Sequence, residues 1–156
     1  MQRRHFLAAA PALLALPPAL AHHGWSSFDL TRPLYLEGRA SDVAWRNPHA
    51  ELKLELPAEP RLPADLAQRA VPPQAAPVDG AGLLRAAQLP TRRDRVWQVE
   101  LAPLTRMNAW QVPEVRNGDT LAVLGFTFPG ERGEAILRAE YLFVGGRTYG
   151  LRSSPA

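Results

Sequence analysis

Residues 51–56 alternate without a fault: Leu52, Leu54 and Leu56 on one side, Glu51, Lys53 and Glu55 on the other. A period of two with leucine at every second position is the pattern of a strand with one face buried and one face wet, and no helix can use it. The same signature recurs along the chain. Residues 34–45 read as a long first strand, with Leu34, Leu36, Gly38 and Ala40 on one face and Tyr35, Glu37 and Arg39 on the other. Gly38 lets that strand bend or coil. Residues 96–101 set Trp97, Val99 and Leu101 against Gln98 and Glu100, and residues 120–128 and 134–144 are two further strands joined around Pro129-Gly130. A last short piece, 147–151, follows Gly145-Gly146. Asn47-Pro48 and Asn117-Gly118-Asp119 are turn signals.

Residues 104–110 read as a short helix between the third and fourth strands. Strand, strand, strand, helix, strand, strand is the element order of an OB-fold, and a long first strand bent at a glycine suits it. The expected fold is therefore mainly β: a small OB-like five-stranded barrel with one short helix between strands 3 and 4. A plain β-sandwich is the rival that element order leaves open. The order is interrupted at residues 57–95, a Pro- and Ala-rich stretch with short helical segments expected only at 64–70 and 82–88. Its length argues for an insertion or a mobile flap, a disordered insertion of no functional consequence being the plainer reading. The domain organisation expected is a signal segment at 1–21, an N-terminal arm at 22–32 and an OB-like domain at 33–151 interrupted by 57–95.

Nothing but an apolar core can hold this domain together, because the chain has no cysteine. That also excludes thiolate metal sites and cysteine nucleophiles. The first twenty-one residues are a signal peptide by pattern: Arg3 and Arg4 as the basic start, an uncharged apolar run over 6–16, and Ala19-Leu20-Ala21 as a small-x-small cleavage site. The run is too short for a bilayer and is broken by Pro11, Pro17 and Pro18, so no membrane helix is expected to be retained. Arg3-Arg4-His5-Phe6-Leu7 resembles the core of a twin-arginine signal, although Ala8 stands where a polar residue is usual. An ordinary secretory signal is the alternative. The expected location is the periplasm or the exterior.

Removal of Arg3 and Arg4 leaves 16 basic residues from the 18, against 15 acidic ones. A nearly neutral exported chain with no dense basic stripe gives no reason to expect nucleic-acid binding, common as that is among OB-folds. No Gly-x-Ser-x-Gly elbow, phosphate-binding glycine loop or His-Glu-x-x-His is present, so no hydrolase is indicated and an enzyme is not the expected class.

Three of the 4 histidines survive cleavage: His22, His23 and His49. A cut after Ala21 would make His22 the first residue. Its free amine and its own Nδ1 can then chelate one metal ion, and His49 or His23 can add a third nitrogen. Alternatively the amine, the amide of residue two and the His23 imidazole can bind in a plane. Both are tetragonal nitrogen sites that favour copper(II). Asp29, Asp42 and Glu51 are the carboxylates nearest in sequence for a fourth ligand. The plain alternative is a solvated histidine tail and a turn histidine at His49, with Asn47 capping the same turn. Trp25, Phe28 and Trp45 flank these segments, and packing of the arm against the barrel is their expected task.

Ala21-His22-His23-Gly24, Phe28-Asp29, Gly38 and Val43-Ala44-Trp45-Arg46-Asn47-Pro48-His49 together resemble a family of short exported bacterial proteins of unknown function. Members start their mature chain with Ala-His-His and carry Trp-x-Asn-Pro-His at the end of the first strand. Trp97-Gln98-Val99-Glu100, Gly118-Asp119 and Gly146-Arg147 extend the likeness over 21–151, apart from the Pro-rich stretch. The resemblance implies an exported OB-like domain in which His22, His23 and His49 meet. The leading expectation is thus a periplasmic protein that binds a metal, copper being favoured, for storage, delivery or sensing. The alternative is a binding or adaptor module for a glycan, a peptide or a partner protein; a copper-dependent oxidative enzyme stands third.

Overall fold

The structure is a computed structural model and describes residues 24–152. Six strands, β1 (Leu34–Ala44), β2 (His49–Glu55), β3 (Val96–Pro103), β4 (Thr120–Phe126), β5 (Ile136–Val144) and β6 (Arg147–Gly150), join two short helices, α1 (Gly80–Ala86) and α2 (Leu104–Ala109). The ladder runs β3-β2-β1-β4-β5-β6, and β3 also pairs with β5 in parallel, from Gln98↔Ile136 to Glu100↔Arg138. That pairing closes five strands into a barrel, with α2 between strands 3 and 4 as expected. β6 lies outside the closure and folds back on β5 through Gly145-Gly146, whose φ of 59° and 72° meets the positive φ a tight hairpin needs.

β1 does bend where its glycine stands. Residues Leu34 to Arg39 pair with β4, and Arg39 to Ala44 pair with β2, so the strand changes partner at Arg39. A Cβ on Gly38 would lie 2.2 Å from the Glu55 carbonyl oxygen, so the approach needed for this handover excludes every side chain. A second kink, at a register shift beyond Ser41, holds Asp42 at φ 48°.

The alternation decides what fills the barrel. Leu34, Leu36, Leu52, Leu54, Val99 and Leu137 point inward around Trp97, which is fully buried. The indole N–H of Trp97 donates to the Asp94 carbonyl at 3.1 Å, so its burial leaves no polar atom unsatisfied. α2 places Met107, fully buried, in the same core.

Residues 57–95 are packed against the barrel wall. Leu66 and Leu84 bury themselves on the outward-facing Tyr35, Ala122, Leu124 and Tyr141 of β1, β4 and β5. Only a 3-10 turn, Leu66–Gln68, forms at the first expected helical segment, because Pro63 and Pro72 leave too little chain to nucleate more. The second segment starts two residues earlier than its apolar pattern suggests, at Gly80. Asp79 caps it there, its carboxylate accepting from the Gly82 N–H at 2.8 Å.

Candidate functional site

His49 opens β2, opposite Pro103 of β3, and is half-buried. Ala50 points into the barrel, so His49 and Glu51 stand on the outer side. On β3 the outward residues are Gln98 and Glu100, and Glu100 lies opposite Glu51 in the ladder. Two carboxylates facing each other across a ladder repel. Here Gln98 donates its side-chain N–H to Glu51 at 3.2 Å, and Arg138 of β5 lies 3.5 Å from Glu100. Glu100 is only 7% exposed.

A second buried ion pair lies beside the first. In the β4–β5 ladder Leu124 faces Tyr141 and Gly125 faces Ala139, so Glu140 is the residue the ladder skips. This bulge buries its carboxylate completely. Arg152 donates to it from Nε at 2.8 Å and from Nη2, and the Gln74 side-chain amide donates to its other oxygen. Burial lowers the Arg138 guanidinium below its ordinary value; Glu100 works against this, and the positive charges of Arg106 and Arg152 add to it.

Trp25 joins the two pairs. The Arg152 guanidinium lies 4.0 Å and that of Arg138 5.2 Å from the indole centroid, and Phe126 meets the ring edge-on at 6.4 Å. Phe28 stacks on Phe128 at 5.2 Å. Trp25 and Phe28 thus pack the arm against the barrel, as their positions suggested, while Trp45 packs against the barrel core.

Of the three histidines singled out in the sequence, His22 and His23 lie outside the described residues, two and one positions before Gly24. His49 begins a strand and is not part of the turn before it, which contains a cis Asn47-Pro48 bond. Of the three carboxylates nearest in sequence, Glu51 stands on the outer face with His49 and accepts from Gln98, and the other two are engaged elsewhere. Asp29 accepts from the Thr31 N–H at 3.0 Å and from its hydroxyl at 2.6 Å, which holds its carboxyl below the ordinary range. Asp42 pairs with Lys53 at 2.8 Å. Among the described residues no group of three or more His, Cys, Asp or Glu could hold a metal ion. Glu100, Arg138 and Arg152, which form the buried ion pairs beside Trp25, were not singled out by sequence reasoning. The outward direction of Glu100 was legible from the alternation of β3; its proximity to Arg138 exists only once β3 meets β5.

Open grooves lie elsewhere among the described residues. One of about 550 Å³ is lined by Glu37, Arg39, Glu55, Arg61 and Arg95, without an aromatic side chain. The next, about 480 Å³, runs over Tyr35 and Phe143 beneath Arg69 and Arg147. No helix of the described residues is long and apolar enough to cross a membrane.

A five-stranded barrel closed by parallel β3 and β5, with a helix between β3 and β4, is an OB-type domain. The sequence model of a family of unknown function, DUF6152, matches residues 12–61, which include His22, His23, β1, Asn47-Pro48-His49 and β2. This agrees with the resemblance to a family without an assigned activity. No curated protein and no solved structure matches the chain.

Proposed function

We propose that the chain is an exported, periplasmic OB-type protein that binds a metal ion, with copper(II) favoured, through His22, His23 and His49. The observation that carries this reading is the docking of Trp25. It sits on Arg138, Arg138 reaches Glu100, and Glu100 shares the outer face of β2 and β3 with His49. His23 is two residues from Trp25, so its Cα lies within about 7 Å of that of Trp25 by chain length alone. If signal cleavage frees the His22 amine, three kinds of nitrogen donor become available: amine, arm imidazole and strand imidazole. Such a donor set suits a tetragonal copper site. The protein's own task would be to hold these donors and to exclude bulk water around them.

The test uses protein whose N-terminus has been verified as His22. Copper(II) titration followed by electron paramagnetic resonance is expected to show a tetragonal nitrogen signal, and His49→Ala should weaken binding and alter that signal. Binding should fade in acid, because the α-amine (ordinary pKa about 8) and the imidazoles must lose their protons to bind. Absence of tight binding, or binding indifferent to His49→Ala, removes the three-histidine site. The second reading, a module that binds a glycan, peptide or protein, is favoured by one feature, the groove over Phe143, and predicts a ligand whose binding is blocked by Phe143→Ala and untouched by His49→Ala.

A further inference from the structure

From Leu34 to Arg39, β1 is paired with β4 on one edge, while its opposite edge is covered only at the two ends of this run. At the start, Tyr35 donates its N–H to the Gln88 carbonyl at 2.8 Å and Gln88 donates to the Pro33 carbonyl at 3.0 Å, one rung of a parallel pair. At the end, Arg39 lies opposite Glu55 of β2. Backbone groups alternate sides along a strand, so the N–H and C=O of Glu37 point the same way as the Tyr35 N–H, away from β4. They fall between the two covers. Proline stops both. The next parallel rung would need the N–H of residue 90 for the Tyr35 carbonyl, and the next rung with β2 would need that of residue 57 for the Glu37 carbonyl. Both are proline and have no N–H to give. Among the described residues, the Tyr35 and Glu37 carbonyls and the Glu37 N–H therefore have no ladder partner on this edge.

Prolines within an edge strand blunt it against other chains. Here they stand in the flanking segments and leave the donor and acceptors of β1 open. The groove of about 550 Å³ lies over this gap, lined by Gly38, Leu56, Pro57 and Leu89. Its charges balance, Glu37, Glu55 and Glu59 against Arg39, Arg61 and Arg95, so it offers a polyanion no net attraction. It has no aromatic face on which a ring could stack. Glu37 accepts from the Tyr35 hydroxyl at 2.7 Å and Glu59 pairs with Arg61, whereas Arg39 and Glu55 have no ion-pair partner among the described residues. What remains on offer is an open backbone edge with one charge of each sign beside it. From Tyr35 to Arg39 the strand runs about 13 Å, roughly the length of four extended residues. We propose that this gap is a strand-addition slot for a short extended peptide carrying charges of both signs: the peptide backbone pairs with Tyr35 and Glu37, and its charged side chains meet Arg39 and Glu55. The slot is independent of the metal reading and of the groove over Phe143.

The experiment is amide-resolved NMR on the full chain, titrated with a pool of capped tetrapeptides built from valine, threonine, lysine and glutamate. Before any peptide is added, the Glu37 N–H should exchange with solvent on the order of a hundredfold faster than those of Leu36 and Gly38, which face β4. The tightest peptide should shift the signals of Tyr35 to Arg39 and of Leu89, and slow Glu37 exchange about tenfold. N-methylation of that peptide at each amide in turn should cost about tenfold in affinity where the N–H meets a β1 carbonyl. Arg39→Glu, at an exposed position, should weaken glutamate-containing peptides by about three- to tenfold, with thermal melts checking the fold. Phe143→Ala and His49→Ala should leave peptide affinity unchanged, so failure of this slot is separable from failure of either reading above. Glu37 exchange as slow as that of its neighbours in the free chain means the edge is already closed and overturns the proposal. A pool without a binder, affinity indifferent to N-methylation, loss of binding in Phe143→Ala, or preference for a sulfated oligosaccharide over every peptide overturns it equally.

Discussion

Gly38 and Gly125 are the residues on which the closed barrel depends most directly. A Cβ at either would fall 2.2 Å from a carbonyl oxygen of the neighbouring strand, that of Glu55 or of Arg138. The obstacle is backbone, which cannot rotate away as a side-chain tip can. Gly38→Ala is therefore expected to cost about 3 kcal/mol, the upper part of the range for overpacking, read as a lower midpoint in urea. Alanine at Gly118, where nothing lies within 4 Å but φ is 94°, tests strain without a clash and should cost less, about 1 kcal/mol. At the same scale, His49 shows how far a residue can be read alone. Its type and its place after Asn47-Pro48 single it out, but its side of the sheet follows from the alternation of Ala50, Leu52 and Leu54 into the core.

Among the elements, residues 57–95 depart furthest from what their composition suggests. A stretch of almost forty residues without a strand pattern reads as an insertion or mobile flap, yet Leu66, Ala76 and Leu84 are each no more than 3% exposed. The reason lies on the barrel. β1, β4 and β5 present Tyr35, Ala122, Leu124 and Tyr141 outward, an apolar wall that must be covered. Leu84→Ala should destabilise the fold by about 2–4 kcal/mol if the segment is part of the cooperative unit. Chemical denaturation followed by tryptophan fluorescence measures this; a loss below about 1 kcal/mol would mean that the cover opens before the barrel does. The strand elements, by contrast, follow their alternation to within a few residues, because a half-buried strand writes its own burial into the sequence.

For the whole molecule, one carboxylate ties distant parts together. Glu131, at the turn between β4 and β5, accepts from the N–H groups of Thr91 and Arg92 and from the Arg32 guanidinium, joining the arm, the end of the Pro-rich segment and the barrel. Burial alone raises its carboxyl, but these donors outweigh it and hold the group below its ordinary value of 4.5. A group depressed in the folded state stabilises the fold above its unfolded value and loses that contribution as pH falls through the folded one. Stability should therefore decline below about pH 4.5, and Glu131→Gln should flatten that decline while lowering stability at pH 7. Melting temperatures between pH 2 and 7 for both chains make the comparison.

By itself the sequence determined the strands, the short helix between the third and fourth and the bend at Gly38, since each of these is encoded by neighbours in the chain. Tertiary structure decided the rest. The partnership of Glu100 with Arg138 and of Glu140 with Arg152, and the seating of Trp25 between the two arginines, arise where β3 meets β5 and where Trp25 and Arg152 come to the same wall. Contacts between residues on different elements leave no period in a sequence, because they depend on how strands close and not on how any one of them alternates.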